Sequence, residues 1–198
     1  MQGFPGKRVD LCLNGKEVRS NVRYGWKTFL SPALGTYRLK VFKHDRRKCR
    51  GTKIAQRSFT LGLDGDLSIV VGPGSPKVLI WDNSVLPPIS TAATSPVIAF
   101  HHAAKAPLMD FWVDFGVQVG PYVPAIGDHA YARGDWDFIG SADGAQWVIW
   151  ATRDELTKVL AGPVVVDIQQ GRRYEQFLIG TKPRNFRIVT FSRPNYFE

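Results

Sequence analysis

Nine of the residues between Arg38 and Arg57 are basic (Arg38, Lys40, Lys43, Arg46, Arg47, Lys48, Arg50, Lys53, Arg57), against one acid, Asp45. Clustered cations raise the local concentration of anionic partners, with an attraction that salt weakens steeply. Lys43, Arg46, Arg47, Lys48, Arg50 and Lys53 are therefore the candidates for anion contact. The same charges also suit a solvated loop whose lysines keep a strand edge from pairing. The asymmetry extends beyond this run. Residues 1–90 hold sixteen Lys and Arg against six Asp and Glu, and residues 91–198 hold ten against eleven, so the net +9 belongs to the first half. Nucleic acid is a poor fit, because the basic run lacks regular interleaved aromatic residues.

Other chemistry is harder to assemble. No Gly-x-Ser-x-Gly elbow is present, and the four histidines fall at positions 44, 101, 102 and 129 with no HExxH spacing. His101 and His102 are adjacent on a strand pattern, so they point to opposite faces and cannot chelate together. Asp110, Asp114, Asp135 and Asp137 lack EF-hand spacing and read as solvated turn carboxylates. No catalytic residue, metal site or cofactor is expected. Arg133-Gly134-Asp135 matches the integrin tripeptide, but a glycine turn between opposite charges accounts for it equally well. Of the tryptophans, Trp26, Trp112, Trp147 and Trp150 suit core positions. Trp136, between two aspartates in a long inter-strand stretch, is the candidate for glycan contact. The two cysteines, Cys12 and Cys49, each stand beside a strand pattern in the same half of the chain. They read either as a bridge, which implies an oxidising compartment, or as free packing residues.

These residues must be positioned by strands. Val9, Leu11 and Leu13 alternate, Asn14-Gly15 has the residues of a two-residue hairpin turn, and Tyr37, Leu39 and Val41 alternate again. Tyr24-Gly25 is a turn signal between them. Further strands are expected over Ile54–Leu61, Leu67–Val71, Val78–Trp81, Val97–His101, Pro107–Val113, Trp147–Trp150, Val164–Ile168, Tyr174–Ile179 and Phe186–Phe191. Asp154–Leu160 reads as a short helical turn or an irregular connection. No segment carries a sustained helical stripe, and the longest apolar runs fall far short of the ~20 residues a membrane helix needs. No basic-then-apolar leader opens the sequence. Thirteen prolines and nineteen glycines, scattered along the chain, suit a turn-rich all-β protein.

Internal repetition organises these strands. Met109-Asp-Phe-Trp-Val113 stands where Val9-Asp-Leu-Cys-Leu13 stood, and Ser141–Ile149 matches Ser31–Leu39. The expected fold is all-β, with two tandem Ig-like antiparallel β-sandwich domains at 1–84 and 97–198 and a proline-rich linker at 85–96. Met1–Gly6 is short and rich in Gly and Pro. It is read as unable to supply the first strand of its sandwich, which leaves an edge open to β-strand addition.

Val9-Asp-Leu-Cys-Leu-Asn-Gly15, with Cys49-Arg-Gly51 downstream, resembles the tandem bacterial repeats catalogued as domain of unknown function 4397, in their exported actinobacterial type. His102–Pro107, Met109–Val113 and Leu160–Pro163 are similar to its other recurring segments. The sequence departs from that pattern at its first strand and in the longer Phe115–Gly140. The resemblance implies export to the cell envelope or exterior, a Cys12–Cys49 disulfide and no established enzymatic activity. The expected function is that of a non-enzymatic surface protein, structural or adhesive, with copies of itself and anionic envelope polymers as partners. The alternative is a module for acidic or neutral envelope glycans, using Arg46, Arg47, Lys48 and Trp136.

Overall fold

The computed structural model describes residues 1–63, 65–84, 94–103, 108–114, 126–129, 134–140, 146–153, 158–169 and 172–194; for 94–103, 113–114, 126–129, 134–140, 146–150 and 193–194 it describes the backbone only. The chain divides into two units, Met1–Leu86 and Pro87–Glu198. The stretch expected to link them, 85–96, lies outside the described residues up to position 93. Its last three residues already belong to a strand.

In the first unit, β1 (Val9–Leu13), β2 (Lys16–Val22), β3 (Gly35–Lys43) and β4 (Lys53–Leu61) form an antiparallel sheet in the order β2-β1-β3-β4. Asn14 and Gly15 join β1 to β2 with φ of +49° and +84°, the conformation that a tight hairpin demands and that Asn-Gly supplies at low strain. β5 (Leu67–Val71) and β6 (Val78–Asp82) form a second, two-stranded sheet. Val9, Val22, Leu39, Val41, Ala55, Val71 and Val78, from both sheets, fill one core with Phe4 of the entry segment. Arg57 has the inward parity of its partner Leu39, yet its guanidinium escapes to the edge and donates to the Val78 carbonyl of β6 at 2.9 Å.

The second unit has two four-stranded sheets. One runs β12 (Lys158–Asp167), β11 (Gln146–Arg153), β8 (Met109–Asp114), β9 (Ile126–His129). The other runs β10 (Gly134–Gly140), β7 (Thr94–Ala103), β13 (Arg172–Gly180), β14 (Arg187–Pro194). Met109, Phe111, Ala151, Ala161, Val166, Tyr174, Leu178 and Ile188 meet between them, so the unit is a sandwich. Lys158–Leu160 is strand, so the short helical turn considered for Asp154–Leu160 does not reach those residues; 154–157 lie outside the described residues. Asp110 and Asp114 stand in β8, and Asp135 and Asp137 in β10. The turn reading of these four is therefore corrected, and Asp110 is buried.

The strand orders of the two units correspond. β2-β1-β3-β4 in the first unit corresponds to β9-β8-β11-β12 in the second. In the second unit β7 runs parallel to β13 and pairs on its other side with β10. The first unit has the same arrangement in shortened form. The Met1 nitrogen donates to Ile69 O at 2.8 Å, Val71 N to Met1 O at 3.0 Å and Gly3 N to Val71 O at 2.7 Å, in parallel register on β5. On its other side Gln2 exchanges bonds with Trp26 O and Gly25 N at 3.0 and 2.8 Å, where β10 stands in the second unit. This corrects two expectations. Met1–Gly3 does occupy the place of the first strand, so the open edge expected there is covered over Ile69–Val71. The units are also not purely antiparallel. Gln2 makes the short segment viable: it is fully buried, its Oε1 accepts from Phe4 N at 2.7 Å and its Nε2 donates to Lys7 O at 3.0 Å. Backbone groups that lack a full ladder are thereby satisfied.

The turn between β13 and β14 depends on a glycine. Gly180 has φ of +132°, and a Cβ there would lie 2.6 Å from Asn185 O and 2.9 Å from the Phe186 ring. Asn185 cannot retreat freely, because its Oδ1 holds the N–H groups of Thr181 and Lys182 at 2.9 and 3.0 Å. Gly180→Ala is expected to destabilise the second unit by about 2 kcal/mol. Chemical denaturation followed by hydrogen exchange in 172–194 measures this. An unchanged midpoint would show that the turn relaxes.

Candidate functional site

The basic run is not a free loop. Val9, Leu11 and Leu13 face the core, so Asp10 and Cys12 face the opposite side of the sheet, where solvent is expected. Both are nevertheless fully buried, and Phe42, the cross-strand partner of Asp10, is buried as well. The cover is residues 43–53. They fold back in a 3-10 turn, Lys48–Arg50, and are joined to β1 by a Cys12–Cys49 disulfide across a sequence separation of 37. Asp45, the lone acid, shapes the turn: its Oδ1 accepts the Arg47 N–H at 2.7 Å. Gly51 leaves it room, since a Cβ there would meet the Asp45 carboxylate at 2.7 Å.

Lys43, Arg46, Arg47, Lys48, Arg50 and Lys53 are all exposed on this cover. Lys48 pairs with Glu17 at 3.5 Å and Lys53 donates to Gln56 at 2.7 Å. Both contacts are at the surface, where such pairs contribute little. The six expected anion-contact residues are therefore held on one short stapled segment with most of their charge uncompensated. Beside them a cavity of about 400 Å³ on the outer face of the sheet is lined by Asn14, Thr36, Arg38, Lys40 and Ser58 among others, extending the basic surface.

Beneath the cover lies a cluster that the sequence reading did not single out. β2 has one residue more than β1 between the pairs Val9–Val22 and Leu11–Arg19, so Ser20 and Asn21 together face Asp10 in a β-bulge. Asn21 adopts φ of +55°. Its N–H and the Ser20 hydroxyl both donate to Asp10 Oδ1, at 2.9 and 2.8 Å. His44, diagonal to Asp10 across the β1–β3 pairing, places Nδ1 2.8 Å from the same oxygen. Burial pushes the Asp10 carboxyl pKa up. The Asn21 N–H, the Ser20 hydroxyl, and the hydrogen bond and charge of His44 outweigh that effect and hold it below the ordinary carboxylate range. Nδ1, which faces an ionised carboxylate, is thus the ring nitrogen that carries hydrogen, and the His44 side chain is 33% exposed.

The wiring differs from that of a nucleophilic relay. Ser20 bonds to the carboxylate and not to the imidazole, so the histidine does not stand between serine and acid. Among the described residues no third His, Cys, Asp or Glu joins Asp10 and His44 in a group able to hold a metal ion. The arrangement can orient an imidazole and anchor the loop beneath it.

The second unit treats the matching positions differently. Asp110 repeats Asp10 and Trp112 repeats Cys12. Trp112 is buried and donates from Nε1 to Thr152 Oγ1 at 2.7 Å, so an aromatic side chain occupies the position that the disulfide takes in the first unit. Trp26 packs against the first core as expected. Trp136 stands in strand β10, paired with Ile98, and not in a loop. What its side chain meets lies outside the described residues, as do Arg133 of the Arg-Gly-Asp tripeptide and the side chains of His101 and His102.

No protein-family model matches the chain, and no curated protein matches it. Among the described residues no helix is long and apolar enough to cross a membrane.

Proposed function

We propose that this is an exported, non-enzymatic surface protein built of two Ig-like repeats of the domain-of-unknown-function 4397 type, and that its first unit makes contact through its basic cover. The observation that carries the reading is the Cys12–Cys49 staple, which holds six exposed cations on one short segment at low cost in loop entropy on binding. A surface of this kind suits an extended acidic polymer, such as an acidic envelope glycan, more than a single small ligand. The disulfide is compatible with an extracytoplasmic setting. The shared strand order of the two units supports their descent from one repeat.

Binding to polygalacturonate and to poly(glycerol phosphate) tests the reading. Replacing Arg46, Arg47, Lys48 and Arg50 together by Gln is expected to weaken binding by about tenfold or more at low salt and to flatten its salt dependence. Equal binding by variant and wild type at every salt concentration would remove the proposal. Salt-insensitive binding to a neutral glycan, lost in Trp136→Ala, would favour the neutral-glycan alternative instead.

A further inference from the structure

Next to the Asp10 cluster, a cavity of about 370 Å³ is lined by Gly6, Lys7, Arg8, Lys43, His44 and Ile54. It lies where the entry segment passes the end of β3, and the backbone closes that corner: His44 N donates to Arg8 O at 3.0 Å. Four of the six lining residues carry nitrogen donors or a titratable imidazole, and none is an acid. Arg8 is oriented by a neutral partner, Nη1 donating to Asn21 Oδ1 at 2.8 Å, so its charge is not cancelled. Lys7 extends over the Phe4 ring, 5.8 Å from its centroid. Among the described residues no carboxylate forms an ion pair with Lys7, Arg8 or Lys43. Asp10, the carboxylate that bonds His44, is fully buried and spends one oxygen on Ser20, Asn21 and His44.

These features differ from those of the solvated loop. Arg8 is positioned through a bulge residue and His44 through a buried carboxylate, and both line one concavity with Lys7 and Lys43. A lining with several cationic residues and no acid suits a tetrahedral oxyanion, which offers acceptor oxygens in more directions than a planar carboxylate. We propose that this cavity is a binding site for one tetrahedral oxyanion of the phosphate-ester or sulfate class, with Arg8 and Lys43 supplying charge and His44 donating from Nε2 when protonated. Asp10 serves as a positioning residue that sets the imidazole. The site shares only Lys43 with the polymer-binding surface and stands apart from that reading.

The test is a titration of the full, oxidised chain with sodium sulfate at constant ionic strength, followed by NMR of the backbone amides and the His44 ring. Saturable shifts confined to residues 6–8, 43–44 and 54 are expected. Arg8→Gln and Lys43→Gln should each weaken binding by about tenfold, and His44→Gln should weaken it several-fold. Lys43 is exposed, so its variant keeps the test decisive should the His44 variant fold poorly. Shifts that never saturate, or that spread equally over Arg46–Lys53, would overturn the site. Parallel titrations with inorganic phosphate and dimethyl phosphate separate a free anion or monoester from a polymer diester as the source. Polymer binding without saturable sulfate binding would sink this inference and leave the loop reading standing.

Discussion

Replacing Asp10 by Ala is expected to destabilise the first unit by about 3 kcal/mol, and Asp10→Asn by roughly half that. Alanine removes a fully buried carboxylate that accepts from Ser20, Asn21 and His44. It orphans the N–H of a bulge residue already held at positive φ. Asparagine keeps one acceptor but loses the charge, and its amide would enter the buried place of Oδ2, which has no hydrogen-bond partner. The contribution carries a pH signature. Because the folded pKa of Asp10 lies below its ordinary value of 3.8, the carboxylate stabilises the fold fully above that value. The contribution declines as pH falls below about 4 and through the folded pKa. Urea denaturation at pH 6 and at pH 3, read by hydrogen exchange in residues 9–22, should therefore show a large wild-type-to-variant gap at pH 6 that narrows at pH 3. An equal gap at both would mean that the charge contributes nothing and only shape matters.

The second large effect comes from the disulfide. Opening a cross-link over a sequence separation of 37 returns about 3–4 kcal/mol of chain entropy to the unfolded state. For a unit of this size that corresponds to a fall in Tm of roughly 15 °C or more. Cys12→Ser with Cys49→Ser, or reduction by dithiothreitol, should move the calorimetric transition of the first unit and leave that of the second in place, since both cysteines lie in the first. The loop would also lift from Phe42 and Asp10. Polymer affinity should then drop several-fold without vanishing, because the cations remain tethered between β3 and β4. A transition that ignores reductant would show that the cover is held by packing alone.

These two effects mark where a reading of the sequence reaches its limit. Alternation over Val9–Leu13 and Tyr37–Val41 identified the core face, because period-2 spacing is a local property that burial enforces. Asn14-Gly15 identified the hairpin, because few residue pairs tolerate two successive positive φ values. The basic loop and the cysteines were also visible as spacing. Asp10 had the outer parity and His44 followed β3, but neither signalled a partner. Their meeting depends on a bulge at Ser20–Asn21 and on the register of β1 against β3, and both are relations between distant segments. The tryptophan at 136 was misplaced in a loop for a related reason: Gly134–Gly140 is a strand because β7 lies beside it, not because its own pattern alternates strongly.

Sequence by itself determined the all-β class, the face each early strand turns to its core and the position of the charge. Only tertiary structure decided that part of the outer face of the first sheet, at Asp10, Cys12 and Phe42, is also buried. It likewise decided that Met1–Gly3 serves as a strand by borrowing the edges of β5 and Gly25–Trp26, and that Lys7, Arg8, Lys43 and His44 share one cavity. The physical reason is the range of the interactions. Alternation, turn conformation and charge density are written in neighbouring residues, whereas burial of part of a nominally exposed face and the meeting of distant basic residues at one cavity arise from chain closure over tens of residues. No local preference encodes that closure.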